Sequence, residues 1–302
     1  MIAVLGSANM DIVTDVARIP RPGETVLGKR VARHPGGKGA NQAVAAARLG
    51  ESVRFFGKVG GDCFGEELLD HLRRAGVDVS AVEIEPELAT GVASILVDEA
   101  GENVIACTPG ANAAVDESYV DRIFDRLASA DVVLLQFEIP LSTIAHLLSR
   151  LPEDRPTVLI DPAPAKDLSD LPLDRIDVLT PNRGELLALA STSANDPSDA
   201  ARELLERGVR CVLCTDGARG TVWVGERTVR IEAPTVEAID TTAAGDAFNG
   251  ALACVIGRLP MEDAIRWANA AGALATTKAG AQPSLPLRDD VEALLCDANG
   301  GT

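Results

Sequence analysis

The 302-residue chain is 46% hydrophobic with a formal charge of −17, so it can bury a full-sized core while offering no basic face to nucleic acid or acidic lipid. No apolar run reaches the length of a membrane span, and the start Met1-Ile2-Ala3-Val4-Leu5-Gly6 lacks a basic region and a cleavage site, so neither anchor nor signal peptide is expected. Six scattered cysteines make no disulfide framework and suit a reducing, cytoplasmic compartment.

Ile2–Leu5 is a short apolar run that stops at Gly6-Ser7-Ala8-Asn9-Met10-Asp11, the pattern of a buried strand delivering polar side chains beyond its end. Later runs repeat it. Val132–Phe137 stops at Glu138, Val158–Ile160 at Asp161, Val178–Pro181 at Asn182, and Cys211–Cys214 at Thr215-Asp216-Gly217. Helical stretches such as Leu141–Arg150, Asp199–Arg207 and Met261–Thr277 alternate with them, which predicts an α/β fold with a mainly parallel central sheet covered by helices. Ligands of such sheets bind beyond the carboxyl ends of the strands, where these polar residues collect.

Two segments break that rhythm. Residues 12–34 alternate loosely around Pro20-Arg21-Pro22-Gly23-Glu24, and 90–107 reads as a hairpin, Val92–Val97 and Asn103–Ala106 joined by Asp98–Glu102. Both are expected to form a small second sheet that projects from the ligand edge as a lid. With no internal repeat or low-complexity linker, residues 1–302 are expected to form a single domain whose last residues, 297–302, are disordered.

The stretch His34-Pro35-Gly36-Gly37-Lys38-Gly39-Ala40-Asn41-Gln42 opens an alanine-rich helix that closes at Gly50. Its glycines let the backbone approach a polar ligand, and Asn41 presents an amide in the first turn. It is no Walker A loop, because Gly39 stands where Ser or Thr is required and no Gly precedes Gly37 by five residues. The set suits vicinal sugar hydroxyls better than a phosphate; taken alone it also fits a flexible turn with a cap.

Other chemistries are set aside. Cys211-x-x-Cys214 lies in a strand-like run whose period points the two thiols to opposite faces, with no second pair to complete a zinc site. His34, His71 and His146 are scattered, and no G-x-S-x-G elbow is present.

Ile239 to Gly250 is a turn of small residues running straight into an apolar helix with Leu252, Val255 and Ile256 on one face. Unpaired N–H groups in that first turn, with Gly245 allowing close approach, make an anion site. Asp246 would lie beside the anion, as a general base for phosphoryl transfer requires. A capping carboxylate fits the same stretch.

Together these motifs resemble the ribokinase-like sugar kinases of the PfkB family. The likeness runs over almost the whole chain, from Gly6-Ser7-x-Asn9-x-Asp11 through Pro22-Gly23-Glu24-Thr25 and Gly36–Asn41 to Gly280-Ala281-Gln282-Pro283-Ser284. It implies a ribokinase-like three-layer α/β/α fold and transfer of the γ-phosphate of ATP to the 5-hydroxyl of D-ribose. Asp246 would be the base, with Gly245 and Ala244 in the anion hole. Asn9, Asp11, Gly37, Lys38, Asn41 and Glu138 resemble the sugar contacts. Asn182 and Glu185, an N-x-x-E, resemble the pair serving the ATP phosphates and Mg²⁺, while Thr215, Asp216, Gly217, Ala218, Arg219, Gly220 and Asn269 resemble nucleotide contacts.

The resemblance also implies a K⁺ site at Asp240, Thr242, Ala275, Lys278, Gly280 and Ser284, with Lys278 offering only its carbonyl. Two lids would clasp into a homodimer. Ala243 stands where many members carry Gly, and Arg183-Gly184 makes the loop after Asn182 less acidic than is common. A kinase for deoxyribose, a ketohexose or a nucleoside remains an alternative, as does a sugar sensor without turnover.

Overall fold

The computed structural model describes residues 1–190, 196–225 and 227–300. The chain opens with β1 (Ile2–Leu5), β2 (Asn9–Val16), β3 (Gly28–Gly36) and α1 (Lys38–Arg48). Next come β4 (Val53–Phe56), β5 (Lys58–Gly60), α2 (Cys63–Arg74), β6 (Glu83–Glu85), β7 (Gly91–Val97) and β8 (Asn103–Thr108). The middle holds α3 (Glu117–Ala128), β9 (Val132–Gln136), α4 (Leu141–Arg150), β10 (Thr157–Asp161), β11 (Val178–Leu179), α5 (Arg183–Leu189) and α6 (Pro197–Glu206). It closes with β12 (Val212–Thr215), β13 (Thr221–Val224), β14 (Thr228–Ile231), α7 (Ala244–Val255), α8 (Met261–Ala275), the single turn α9 (Ala281–Ser284) and α10 (Arg288–Gly300).

Eight strands form the central sheet in the order β14-β13-β12-β11-β10-β9-β1-β4, parallel from β12 to β4. β13 is antiparallel to both β12 and β14. Both faces are covered, which is why β1 and β9 read as unbroken apolar runs. Ile2 and Val4 pack with α1, α2, α7 and α8 on one face, and Ala3 and Leu5 with α3, α4, α5 and α6 on the other. Cys211 and Cys214 divide between the same two cores, as the strand period requires.

A separate four-stranded sheet, β3-β2-β7-β8, holds the two segments that break the βα rhythm. β2 pairs parallel with β7, and each forms an antiparallel hairpin outward. Asp11, His34, Ala93 and Cys107 are cross-strand partners in one row, so they share a face of this sheet.

Close contact between α1 and α7 sets the geometry at the ligand edge. A Cβ on Gly250 of α7 would meet the Ala45 Cβ of α1 at 2.5 Å and the Gln42 carbonyl at 2.9 Å, so glycine there lets the two N-terminal turns lie side by side. Residues 297–300, expected to be disordered, instead continue α10. Val291, Leu294 and Leu295 pack on the core and anchor that helix, which carries its last turn onward; 301 and 302 lie outside the described residues. Among the described residues no helix is long and apolar enough to cross a membrane.

Candidate active site

The turn before α7 is held by Ala243 in the left-handed region, φ 59°, and Ala243 makes no side-chain cap. Asp246, the third residue of the helix, is buried. Its carboxylate accepts from α1, with Asn41 Nδ2 at 2.9 Å from Oδ2 and Gln42 Nε2 at 3.1 Å from Oδ1. Beside it, a Cβ on Gly245 would meet nothing within 4 Å. The α7 N-terminus therefore presents a carboxylate next to an open space lined by N–H groups, the arrangement an anion occupies.

Glu138, just beyond β9, gathers the ends of β1, β2 and α1. It accepts from the Ser7 hydroxyl, from the Lys38 N–H at 3.0 Å and from Asn9 Nδ2 at 3.4 Å. Asn112 fixes Asn9 by donating to its Oδ1 at 2.7 Å. The glycines here are steric requirements: a Cβ on Gly36 would fall 2.2 Å from Asp11 Oδ2, and one on Gly37, at φ +89°, 2.7 Å from the Asn9 nitrogen.

Charge is concentrated at this point. Lys38 Nζ stands 3.6 Å from Asp161 Oδ2. Burial disfavours its ammonium, but Asp161, Asp246, Glu138 and Glu185 together hold its pKa above the ordinary lysine value. Burial pushes Asp161 up to about 7, with Lys38 opposing and Asp246 and Glu185 adding to it. Asp11 also rises to about 7, through burial and then the charges of Glu138 and Asp246. Asp246 is raised by burial against the pull of Lys38, Asn41 and Gln42. Four carboxylates thus act on one ammonium, an excess of negative charge that a phosphorylated ligand meets only with cationic help.

Along the sheet edge, Asn182 and Glu185 form a capping box on α5, with Glu185 N–H to Asn182 Oδ1 at 2.9 Å and Asn182 N–H to Glu185 Oε2 at 2.8 Å. Asn182 bridges Thr215 at the end of β12. Gly217, Ala218 and Arg219 make a 3₁₀ turn, closed by the Asp216 N–H donating to the Gly220 carbonyl at 2.8 Å. Asp216 pairs with Arg219 at 2.7 Å and Arg230 at 3.3 Å. The buried Asn269 amide is engaged by the protein itself, accepting from the Thr221 hydroxyl at 2.6 Å and donating to the Ile231 carbonyl at 3.0 Å.

The family description of a pfkB carbohydrate kinase matches residues 1–288. The chain belongs to the pfkB carbohydrate kinase family. Ribokinase of Haemophilus influenzae is 37% identical over 294 residues, 96% of each chain. A deoxyribokinase of Salmonella typhi is 34% identical over 291 residues, 94% of this chain and 95% of that one. The structure of Arabidopsis thaliana ribokinase complexed with ribose and ATP matches with a TM-score of 0.90 at 33% identity, covering 97% of this chain and 98% of that one. As a pfkB kinase it is a sugar phosphotransferase on the ribokinase-like fold.

Within this pfkB kinase the structure brings Asp246, Asn41, Lys38, Asn9 and Glu138 to one place through hydrogen bonds and shared charge. Asp161 is expected from the sequence only as one of the polar residues at the ligand edge, and Gln42, Gln136 and Gln282 carry no expected role. Asp161 and Gln136 are the polar C-terminal ends of strands whose centres are apolar, the signal the sequence offers.

Proposed function

We propose that the chain transfers the γ-phosphoryl group of ATP to the 5-hydroxyl of D-ribose, giving ribose 5-phosphate and ADP. One observation carries the reading: the buried Asp246 carboxylate flanks the open N-terminus of α7 and is bonded to the helix that bears Lys38 and Asn41. Asn9, Asp11, Lys38, Asn41 and Glu138 hold the sugar hydroxyls, with Gly37 allowing close approach. Asp246 accepts the 5-hydroxyl proton as that oxygen bonds to the γ-phosphorus and the bond to the ADP oxygen breaks. The N–H groups of Ala244 and Gly245 stabilise the charge that develops on the transferring group. Thr215, Asp216, the 217–220 turn and the α8 segment around Asn269 flank the nucleotide.

Two cations fit the residues present. The four carboxylates around Lys38 would repel a bare triphosphate; Asn182 and Glu185 would hold Mg²⁺, which would supply the neutralising charge. Asp240, the backbone carbonyls of Thr242, Ala275, Lys278 and Gly280, and Ser284 would offer a hard cation such as K⁺ oxygen ligands alone, and the Asp240–Gly280 hydrogen bond supports that reading by joining the two loops. The sheet β3-β2-β7-β8 acts as a lid over the sugar and as the contact between two copies, and residues 1–302 act as one catalytic domain. The six free thiols suit the cytoplasm.

The test is ADP release with Mg²⁺-ATP across D-ribose, deoxyribose, ketohexoses and nucleosides. D-Ribose is expected to give the highest kcat/KM. A higher value for another sugar reassigns the substrate, and sugar binding without ADP release from any of them leaves only a sensor.

A further inference from the structure

Each oxygen of the Asp246 carboxylate is held by an amide, and each of those amides is held by another. Behind Asn41, Gln282 Nε2 donates to Asn41 Oδ1 at 3.0 Å. Behind Gln42, Gln136 Nε2 donates to Gln42 Oε1 at 2.7 Å. All five side chains are buried. An ionised carboxylate can only accept, so Asn41 and Gln42 must turn their NH₂ groups toward Asp246 and their oxygens away. Those oxygens then demand donors, so Gln282 and Gln136 must also present NH₂. The direction of every bond is dictated by the charge at the centre.

The ends of the two chains carry the mark of that constraint. Gln136 Oε1 is a buried oxygen with no hydrogen-bond partner among the described residues; Gln282 Oε1, also buried, makes no bond of ordinary geometry, with only the His71 side chain beside it. Leaving a buried acceptor unpaired is unfavourable, and a side chain free to turn its amide around would not retain it without a stronger demand at the other end. The chains also start from different parts of the fold. Gln136 closes β9 in the central sheet. Gln282 sits on the turn Ala281–Ser284 just after Gly280, whose N–H bonds to Asp240.

We propose that Gln136 and Gln282 are positioning residues for phosphoryl transfer, each acting on the base through the amide in front of it, Gln42 or Asn41. The proposal rests on the reading of Asp246 as the base. Gln42 Nε2 also serves Asp161 Oδ2 at 2.9 Å, so its relay sets the base in fixed relation to the carboxylate that faces Lys38. The Gln282 relay connects the base to the loop held by Asp240, so a shift of that loop reaches the carboxylate through two hydrogen bonds.

The test uses the full chain with Gln282→Met and Gln136→Met, which keep length and apolar bulk but remove the donor. Each variant is expected to unfold near the wild-type temperature and to keep its KM for ATP within about two-fold, while kcat drops about 10- to 100-fold, the scale of a misplaced reacting group. The acid limb of kcat should also move to higher pH, because the amides help keep Asp246 ionised among Lys38, Glu138, Asp161 and Asp11. A purely packing role would leave that limb in place. Folded Met variants with wild-type kcat and acid limb overturn the proposal. Should either fail to fold, Gln282→Asn or Gln136→Asn, which retains the amide but withdraws it from its partner, is expected to show the same loss, and wild-type kcat there overturns the proposal equally. A wild-type chain that phosphorylates no sugar instead overturns the reading of Asp246 as base.

Discussion

The Asp240 carboxylate accepts the Gly280 N–H at 2.8 Å, tying the turn before α7 to the loop after α8. Its other oxygen accepts the Thr242 N–H at 2.9 Å and the Thr242 hydroxyl at 2.6 Å. Burial alone would raise its pKa, but these bonds hold it below the ordinary carboxylate value, so it is anionic at neutral pH and available to a cation. Replacing Na⁺ by K⁺ at constant ionic strength should raise kcat at least about two-fold, by ordering the turn that aims its N–H groups at the phosphate. Asp240→Ala should abolish the response. Equal wild-type rates in the two salts would remove the K⁺ site.

Asp246→Asn is expected to leave the chain folded and able to bind ATP while cutting kcat by at least about 10²-fold, the usual scale of a lost general base. Because burial raises the pKa of Asp246 and a base works only when ionised, wild-type kcat should fall on lowering the pH at a higher pH than an ordinary carboxylate base would give. Near-normal turnover by the variant would exclude Asp246 as base.

Asp161 carries its own signature in stability. Its pKa is raised by burial from 3.8 to about 7 in the folded chain, so the folded state binds this proton more tightly than the unfolded state. The resulting stabilisation is fully present below 3.8 and is lost as the pH rises through about 7. Asp161→Asn does not titrate. Its stability relative to wild type should therefore improve between pH 4 and pH 8, by at most about 1.4 kcal/mol for each tenfold difference in proton affinity between the folded and unfolded chain. A difference that is constant with pH in denaturant melts would contradict this.

What could be read in advance depends on which interactions are local. The strand runs and the opposed faces of Cys211 and Cys214 depend on neighbours a few residues apart, and both appear in the structure. Asp246 shows the limit. Its place in the first turn fits a cap as well as a base, and what holds its carboxylate comes from Asn41 and Gln42, which are 205 and 204 residues away in the chain. The amide relays and the Asp161 contacts are of the same long-range kind. Strands β13 and β14 are harder to read because they form an antiparallel pair that breaks the alternation of parallel strand and helix. The partners of Asn269, Thr221 and Ile231, lie on those strands, so its hydrogen bonds are not legible in the sequence.

The small sheet offers a test of assembly. Ile105 is 53% exposed and pairs across β7 and β2 with Ile95 and Val13, on the face that carries Asp11. On the opposite face Val31 and Val104 are also exposed. A sheet with apolar side chains and two open edges favours a partner. Light scattering at micromolar concentration should give a dimer, and Ile105→Asp should shift it toward monomer. A wild-type monomer mass would exclude dimerisation through this sheet.

Ala243 is the one non-glycine residue at positive φ among the described residues, and it directly precedes the α7 N-terminal turn beside the open space at Gly245. An L residue in this region is strained by about 1–2 kcal/mol, while glycine would relieve the strain and cost about 0.4–1 kcal/mol in the freedom of the unfolded chain. Ala243→Gly should therefore be neutral to stabilising by about 1 kcal/mol, with kcat within about two-fold of wild type. Ala243→Val should do the opposite, since a β-branched side chain tolerates left-handed backbone least. It is expected to lose at least about 1–3 kcal/mol or to rebuild the turn. In the second case kcat falls with Asp246 still present, because the N–H groups of Ala244 and Gly245 no longer point into the open space beside it. Denaturant melts and kcat measured on the same preparations separate the two effects. A Val variant matching wild type in both would show that the left-handed turn is not what aims the helix.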